Sequence, residues 1–338
     1  MKTLVLHEPG KFEMISINEP GVPGADEALV RVHRVGVCGT DLHAFRGKQP
    51  FFTYPRILGH ELGVEIIAIG ANDRGLKVGD KCAVEPYINC GTCIACRRAK
   101  PNCCVNLKVM GVHIDGGMRE QLHVPIRKLH KSTALSYEQI ALVETLAIGC
   151  HAVVRAELNK TDTVLVIGAG PIGLSVIQFA QAAGSRVMVM DLSQQRLDFC
   201  REQLGVQDCI DAGHEPAQAL NKLTGGDMAT AVIDATGNPK SMSGGLSLMA
   251  HGGKLVYVGL FAGDFSLNDP DFHRHETTLL SSRNALPDDF PKIISMIESG
   301  QINTKPWITH RCCADQVVAQ FPSFTLPQTG VIKAVIEF

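Results

Sequence analysis

Four cysteines, Cys90, Cys93, Cys96 and Cys104, crowd into fifteen residues, with two, two and seven residues between them. Thiolates at this spacing can turn their sulfurs inward around one Zn²⁺, because a short loop closes tightly on itself. Gly91, Thr92 and Ala95, small and turn-permissive, suit such a loop. Four protein ligands complete a tetrahedral shell and leave no position for substrate. The spacing therefore points to a zinc ion that shapes a loop and takes no part in chemistry.

A second pattern, Gly168-Ala169-Gly170-Pro171-Ile172-Gly173, is a G-x-G-x-x-G run between an apolar strand-like segment and a helix-like one. In that context the glycines permit a tight turn and let the backbone approach a pyrophosphate, which rests on the helix N-terminus. Asp191 lies eighteen residues past Gly173. A carboxylate at the end of the next strand accepts hydrogen bonds from a ribose 2′-hydroxyl and repels a 2′-phosphate, favouring NAD over NADP. Arg196, five residues on, could also face the adenosine end.

A third set is scattered. Cys38 lies in Gly36-Val37-Cys38-Gly39-Thr40-Asp41-Leu42-His43, His60 and Glu61 follow Gly59, and Glu144 falls in the apolar run 140–154. Thiolate, imidazole and carboxylate are the donors of a catalytic zinc with one open position. Taken singly, each carries little weight, since a lone Cys or His is more often a core residue.

These groups need a scaffold. Residues 1–135 are β-rich, with strand-like runs at 28–32 and 64–69 separated by Gly, Pro and Asp. Ser136 and Gln139 have capping-box spacing ahead of a helix over 140–154. From residue 161 strands and helices alternate: strands at 164–167, 186–190, 231–233 and 254–258, helices at 172–183 and 194–204. Such alternation predicts an α/β domain with a doubly wound parallel sheet. The β-branched tail 331–338 reads as a closing strand.

A length of 338 residues allows two domains, and 45% hydrophobic with 20% charged residues is ordinary for a globular enzyme. The net charge of −2 argues against a nucleic-acid partner. Twelve cysteines behind an N-terminus that becomes charged too soon for a secretory signal point to a reducing, cytoplasmic setting. The stretch 163–185 carries no charge over 23 residues, but its glycines, proline and glutamines fit a strand, turn and helix better than a membrane span.

Together these motifs resemble the zinc-containing medium-chain dehydrogenase/reductase family over nearly the whole chain. The resemblance rests on Gly59-His60-Glu61, Cys38-Gly39-Thr40-Asp41, Val78-Gly79-Asp80, the cysteine loop and the glycine turn, in family order. It implies a GroES-like catalytic domain formed by 1–145 and 286–338, with a Rossmann domain, 146–285, inserted between them. It implies two zinc ions per chain: a structural one at the four cysteines and a catalytic one at Cys38, His60 and one or both of Glu61 and Glu144. Polyol and threonine dehydrogenases of the family carry a glutamate where Glu144 stands. Thr40 would accept the alcohol proton and His43 pass it to solvent, while hydride moves to NAD. Thr236, Gly259 and Arg283 would join Gly168, Gly170, Pro171, Ile172, Gly173, Asp191 and Arg196 in holding the cofactor. A homodimer or homotetramer, formed through Rossmann-sheet edges near 257–265, is also implied. One departure is visible: the family reads G-H-E-x-x-G, whereas here Gly63 comes one residue early and Val64 takes the glycine position.

Within the family, 111–117, 269–273, 282–284 and 307–311 look most like bacterial sugar-acid and polyol dehydrogenases. A sugar acid needs a cation for its carboxylate, and Arg119, Arg283, His310 and Arg311 are candidates. One tryptophan and four tyrosines offer little platform for stacking a pyranose. The competing readings are a threonine or other small secondary-alcohol dehydrogenase, a zinc-free NADPH-dependent quinone or enone reductase of the same superfold, and a non-enzymatic zinc ribbon using Arg97, Arg98 and Lys100.

Overall fold

The strand Glu27–Val37 shows how the first part of the chain folds: Ala28, Val30 and Val32 are buried while Arg31 between them is exposed, the period-two pattern of a half-buried strand. The computed structural model describes residues 1–50 and 52–338. Contacts divide them into two compact units, Met1–Thr145 with Leu286–Phe338, and Leu146–Ala285.

The first unit is built on a seven-stranded, mostly antiparallel sheet. Its path runs Ile308–Cys313, Lys333–Glu337, Glu27–Val37, Glu61–Ile69, Lys81–Val84 and Leu129–Ser132, with Gln121–Pro125 also paired to Glu27–Val37. The last strand of the chain thus lies beside one of the first, with Ala334 opposite Val37 and Ile336 opposite Val35. Across the other edge, Gly36 faces Glu61 and Val35 faces Leu62. The register shifts between Val32 and Arg34, one extra residue on that strand. The strand after His60 runs unbroken through Gly63 and Val64, and Val64 is fully buried, so the departure from the G-H-E-x-x-G pattern leaves the backbone path regular.

The helix Tyr137–Ala156 starts on the expected reciprocal cap: Ser136 N–H donates to Gln139 Oε1 at 3.1 Å, and Gln139 N–H to Ser136 Oγ at 3.3 Å. Its length and apolarity would allow it to cross a bilayer, but 78% of its apolar window is buried inside the protein, which makes it a core helix.

The second unit holds a six-stranded sheet whose adjacent strands are all parallel. Its order is Asp208–Asp211, Arg186–Asp191, Thr163–Ile167, Ala229–Asp234, Met249–Tyr257, Thr278–Ser281. Numbered within the unit, that is 3-2-1-4-5-6, the doubly wound Rossmann order. The uncharged stretch 163–185 resolves into strand Thr163–Ile167, a glycine turn and helix Pro171–Ala182. Leu165, Met188, Val232 and Leu255 form the apolar layer on one face. Strand order reverses between Thr163–Ile167 and Ala229–Asp234, where such sheets open a crevice for ligand.

Candidate functional site

The cysteine loop closes as its spacing suggests. The sulfurs of Cys90, Cys93, Cys96 and Cys104 all lie within 4.8 Å of one another, with Cys93 to Cys96 at 3.5 Å and Cys104 to Cys90 at 3.4 Å. All twelve cysteines are free thiols. Backbone N–H groups of Thr92 and Cys93, with the Thr92 hydroxyl, lower the Cys90 thiol to about 5. Asn89 Nδ2 points at Cys96 Sγ from 3.6 Å. Four convergent sulfurs, one held as thiolate, fit a closed tetrahedral zinc centre. Arg97, offered by the zinc-ribbon reading as a nucleic-acid contact, instead donates to Thr92 O within this loop.

The second cluster forms in the first unit, where Cys38, His60 and Glu61 bring one donor atom each within 4.8 Å of the others. Cys38 precedes the helix Gly39–Phe45, and its N–H donates to Asp41 Oδ2 at 2.9 Å, which fixes the thiol-bearing turn. The other Asp41 oxygen lies 3.8 Å from His60 Nδ1. Both atoms are buried and lack a hydrogen-bond partner among the described residues. Asp41 thus places a buried carboxylate close to the His60 imidazole.

Glu61 is 1% exposed. Its two oxygens each accept from Lys333 Nζ at 2.7 Å, and Lys333 also donates to Thr145 Oγ at 3.1 Å. Gly36 makes the room: a Cβ there would lie 2.1 Å from Glu61 Oε2. Glu144, about two turns into the buried helix, accepts from the Tyr87 hydroxyl and stands outside the trio that meets within 4.8 Å.

Burial pushes the Glu61 carboxyl up, yet Lys333 and His60 outweigh it and hold the group below its ordinary value. Burial raises Glu144 and Asp41, with His60 opposing in both cases. Burial alone would lower His60, but Asp41, Cys38 and Glu144 raise it well above an ordinary imidazole. Thiolate, imidazole and carboxylate meeting here fit a divalent zinc ion.

Thr40 lies half-buried in the first turn of the same helix and His43 one turn on, exposed. Partial burial, then Arg46 and Lys48, lower the His43 imidazole.

In the second unit, Gly168, Asp191, Leu192, Thr236, Asn238 and Lys240 are among the residues lining a cavity of about 850 Å³. Gly168 has φ 95°, and a Cβ on Gly173 would lie 1.7 Å from Gly168 O, so the turn admits no side chain at either position. Pro171 opens the helix and Ile172 follows it. The Asp191 oxygens accept from Ala169 N–H at 2.6 Å and Ser193 N–H at 2.8 Å, and lone pairs remain for a ribose hydroxyl. Arg196 reaches back until its Nη1 is 3.4 Å from where a Cβ on Gly170 would be. Gly259 packs against Gly237, where a Cβ would lie 2.1 Å from the Gly237 nitrogen. Arg283 is exposed beyond the strand Thr278–Ser281.

Other sequence candidates have different surroundings. Arg311 binds Glu138 with both ends of its guanidinium, at 2.8 and 3.0 Å. His310 Nδ1 sits 2.9 Å from Thr309 Oγ1. Arg119 is half-buried near Asp115, and burial lowers its guanidinium. Sequence reasoning missed Lys333, Gly36, Asp41, Thr145 and Tyr87 as members of the first-unit cluster. Lys333 alone left a signal, a lone cation inside the β-branched run Val331-Ile332-Lys333-Ala334-Val335-Ile336.

Comparison with known proteins agrees with this architecture. The zinc-binding dehydrogenase family model matches residues 171–299, and the alcohol dehydrogenase GroES-like domain model matches 24–134. The chain is 40% identical to the L-galactonate-5-dehydrogenase of Escherichia coli K12, covering 100% of this chain and 99% of that one. It is 32% identical to the 2-dehydro-3-deoxy-L-galactonate 5-dehydrogenase of Pseudoalteromonas atlantica, covering 93% and 92%. Among solved structures, the short chain alcohol dehydrogenase rspB from Escherichia coli CFT073, complexed with NADH, superposes with a TM-score of 0.93 at 30% identity, covering 100% and 99%.

Proposed function

The chain belongs to the zinc-binding dehydrogenases with a GroES-like domain, and from that premise we propose that it oxidises a secondary hydroxyl of a sugar acid, L-galactonate or a close relative, with NAD. The observation that carries the reading is the meeting of Cys38, His60 and Glu61 donors within 4.8 Å, in a chain that is 40% identical end to end with a sugar-acid dehydrogenase. Cys38, His60 and Glu61 would hold the catalytic zinc, with Glu144 in reserve beside Tyr87, and the four loop cysteines the structural one. Bound zinc supplies a Lewis acid that lowers the pKa of an alcohol, and bound NAD supplies the hydride acceptor.

The remaining work falls to the chain's own side chains. Thr40, two residues past Cys38, takes the alcohol proton on its hydroxyl, and His43 releases it to solvent. Depression of the His43 imidazole keeps it neutral, and so able to accept, near neutral pH. Lys333 holds Glu61 in place, and Asp41 sets a buried carboxylate close to His60. Gly168, Gly170, Pro171, Ile172 and Gly173 form the pyrophosphate cradle, with Thr236, Gly259, Arg196 and Arg283 as further cofactor contacts. Asp191, with lone pairs to spare, favours a ribose 2′-hydroxyl over a 2′-phosphate. A homodimer or homotetramer would use the open edge strand Thr278–Ser281, near exposed Leu260 and Phe265.

A panel of sugar acids and polyols, each with NAD and NADP, tests the reading at the nicotinamide absorbance. Turnover of an aldonate with NAD, together with two zinc ions per chain by elemental analysis, is the expected result. Cys38→Ser should lose at least a hundredfold in kcat and one zinc, while NAD affinity changes little. Full activity in that variant, or a chain that purifies active without zinc, overturns the assignment.

A further inference from the structure

We propose that Arg46 and Lys48, carried at the far end of the helix that starts beside Cys38, bind the carboxylate of the sugar acid. The inference rests on the sugar-acid reading and names the groups that would select for it.

Thr40, His43 and Arg46 follow one another at three-residue intervals along and just past the helix Gly39–Phe45. Three residues fall about 60° short of a turn, so the row winds round the helix, with Thr40 and Arg46 about 120° apart and about 9 Å along its axis. Arg46 caps the helix with φ −86° and ψ 0°. Gly47, at φ 70°, then turns the chain back, and Lys48 N–H donates to His43 O at 2.8 Å. The turn sets a second cation close to the proton-relay histidine. Both cations, after partial burial, help depress the His43 imidazole.

Neither side chain has a hydrogen bond or ion pair among the described residues, and both are exposed. Four other cations of this unit are paired: Arg34 to Glu337 at 3.0 Å, Arg56 to Asp115 at 3.2 Å, Arg311 to Glu138 at 2.8 Å and Lys333 to Glu61 at 2.7 Å. A guanidinium and an ammonium left free next to His43 are suited to an anionic group on the substrate. The reach also fits. In a six-carbon aldonate oxidised at C5, four carbon–carbon bonds separate the reacting carbon from the carboxylate, about 5 Å when extended. A carboxylate at that distance from Thr40 falls within the span that the long Arg46 and Lys48 side chains can cover.

Cations at a helix C-terminus also complement the helix dipole, which predicts a stability effect only. Substrate kinetics separate the two roles. In Arg46→Gln/Lys48→Gln, KM for L-galactonate should rise at least tenfold while kcat changes less than threefold. The rise should be smaller at high ionic strength, where screening already weakens the wild type. The conservative exchange Arg46→Lys/Lys48→Arg should restore most of the affinity. Thermal melting of each variant, with and without L-galactonate and NADH, reports binding independently of turnover. An enzyme that oxidises L-galactonate and whose double variant keeps KM within twofold overturns this inference alone. A wild type that neither turns over nor is stabilised by any aldonate overturns it together with the sugar-acid reading.

Discussion

At the scale of single residues, the first-unit cluster depends on a charge pair whose two members no local pattern links. Lys333 and Glu61 are each about 1% exposed and are 272 residues apart in sequence. Each ion alone would be costly in that interior, and together with Thr145 they satisfy one another. In chelator-stripped protein, where no metal balances Glu61, Lys333→Met should therefore leave an uncompensated buried charge and cost about 3–5 kcal/mol, read from urea unfolding. Adding Glu61→Gln should recover a large part of that loss, because no lone charge then remains. If Lys333→Met unfolds at the wild-type midpoint, the pair carries no stabilising role. The same residues show where sequence reading stops. The cysteine loop and the glycine turn were legible because their geometry is set by near neighbours. Gly36 and Lys333 meet Glu61 only through strand pairing: Gly36 opposite Glu61, and Ala334 opposite Val37. No spacing rule connects such positions, and a missing Cβ at Gly36 gains meaning only once a carboxylate is seen to need its space.

At the scale of elements, the helix Tyr137–Ala156 was foreseen from its cap and its apolar run, and strand and helix alternation after residue 161 revealed the parallel sheet. Harder to foresee was how the start of that helix is tied to the C-terminal strands. Glu138, in its first turn, takes both arms of Arg311 from strand Ile308–Cys313 and lies 4.0 Å from Arg34. The Arg311 hydrogen bonds, against partial burial, hold the Glu138 carboxyl below the ordinary carboxylate value. A carboxyl depressed by folding adds stability above its unfolded pKa, and that contribution disappears as pH falls through the folded one. Because Arg311 is 58% exposed, screening limits the pair to about 0.5–1 kcal/mol. Glu138→Gln should thus lower stability by that amount at pH 7 and match the wild type once the pH is below the folded carboxyl's depressed range. Denaturation curves across pH 2–7 check the sign. A deficit that persists at the acid end would point to lost packing in place of lost charge.

At the scale of the whole molecule, the two units differ in how the chain builds them. The second is one continuous stretch, Leu146–Ala285, and the apolar cluster of Leu165, Met188, Val232, Leu255 and their neighbours is made of residues of that stretch. The first is completed by Leu286–Phe338, which supplies Val317, Phe321, Phe324, Ala334 and Ile336 to its core and the strands Ile308–Cys313 and Lys333–Glu337 to one end of its sheet. Burying five such side chains is worth on the order of 5–12 kcal/mol. That is comparable with the entire stability of an ordinary domain, about 5–15 kcal/mol. Removing the segment also bares the edge of Glu27–Val37 and takes Lys333 from Glu61. A chain ending at residue 285 should therefore keep a folded second unit while its first 145 residues fail to consolidate. Limited proteolysis followed by mass spectrometry should find Leu146–Ala285 protected and cleavage spread through 1–145, with no zinc retained at Cys38 and His60. Equal protection of both regions in the shortened chain would mean that the first sheet closes without its final strand, and that the C-terminal core residues decorate a fold already complete.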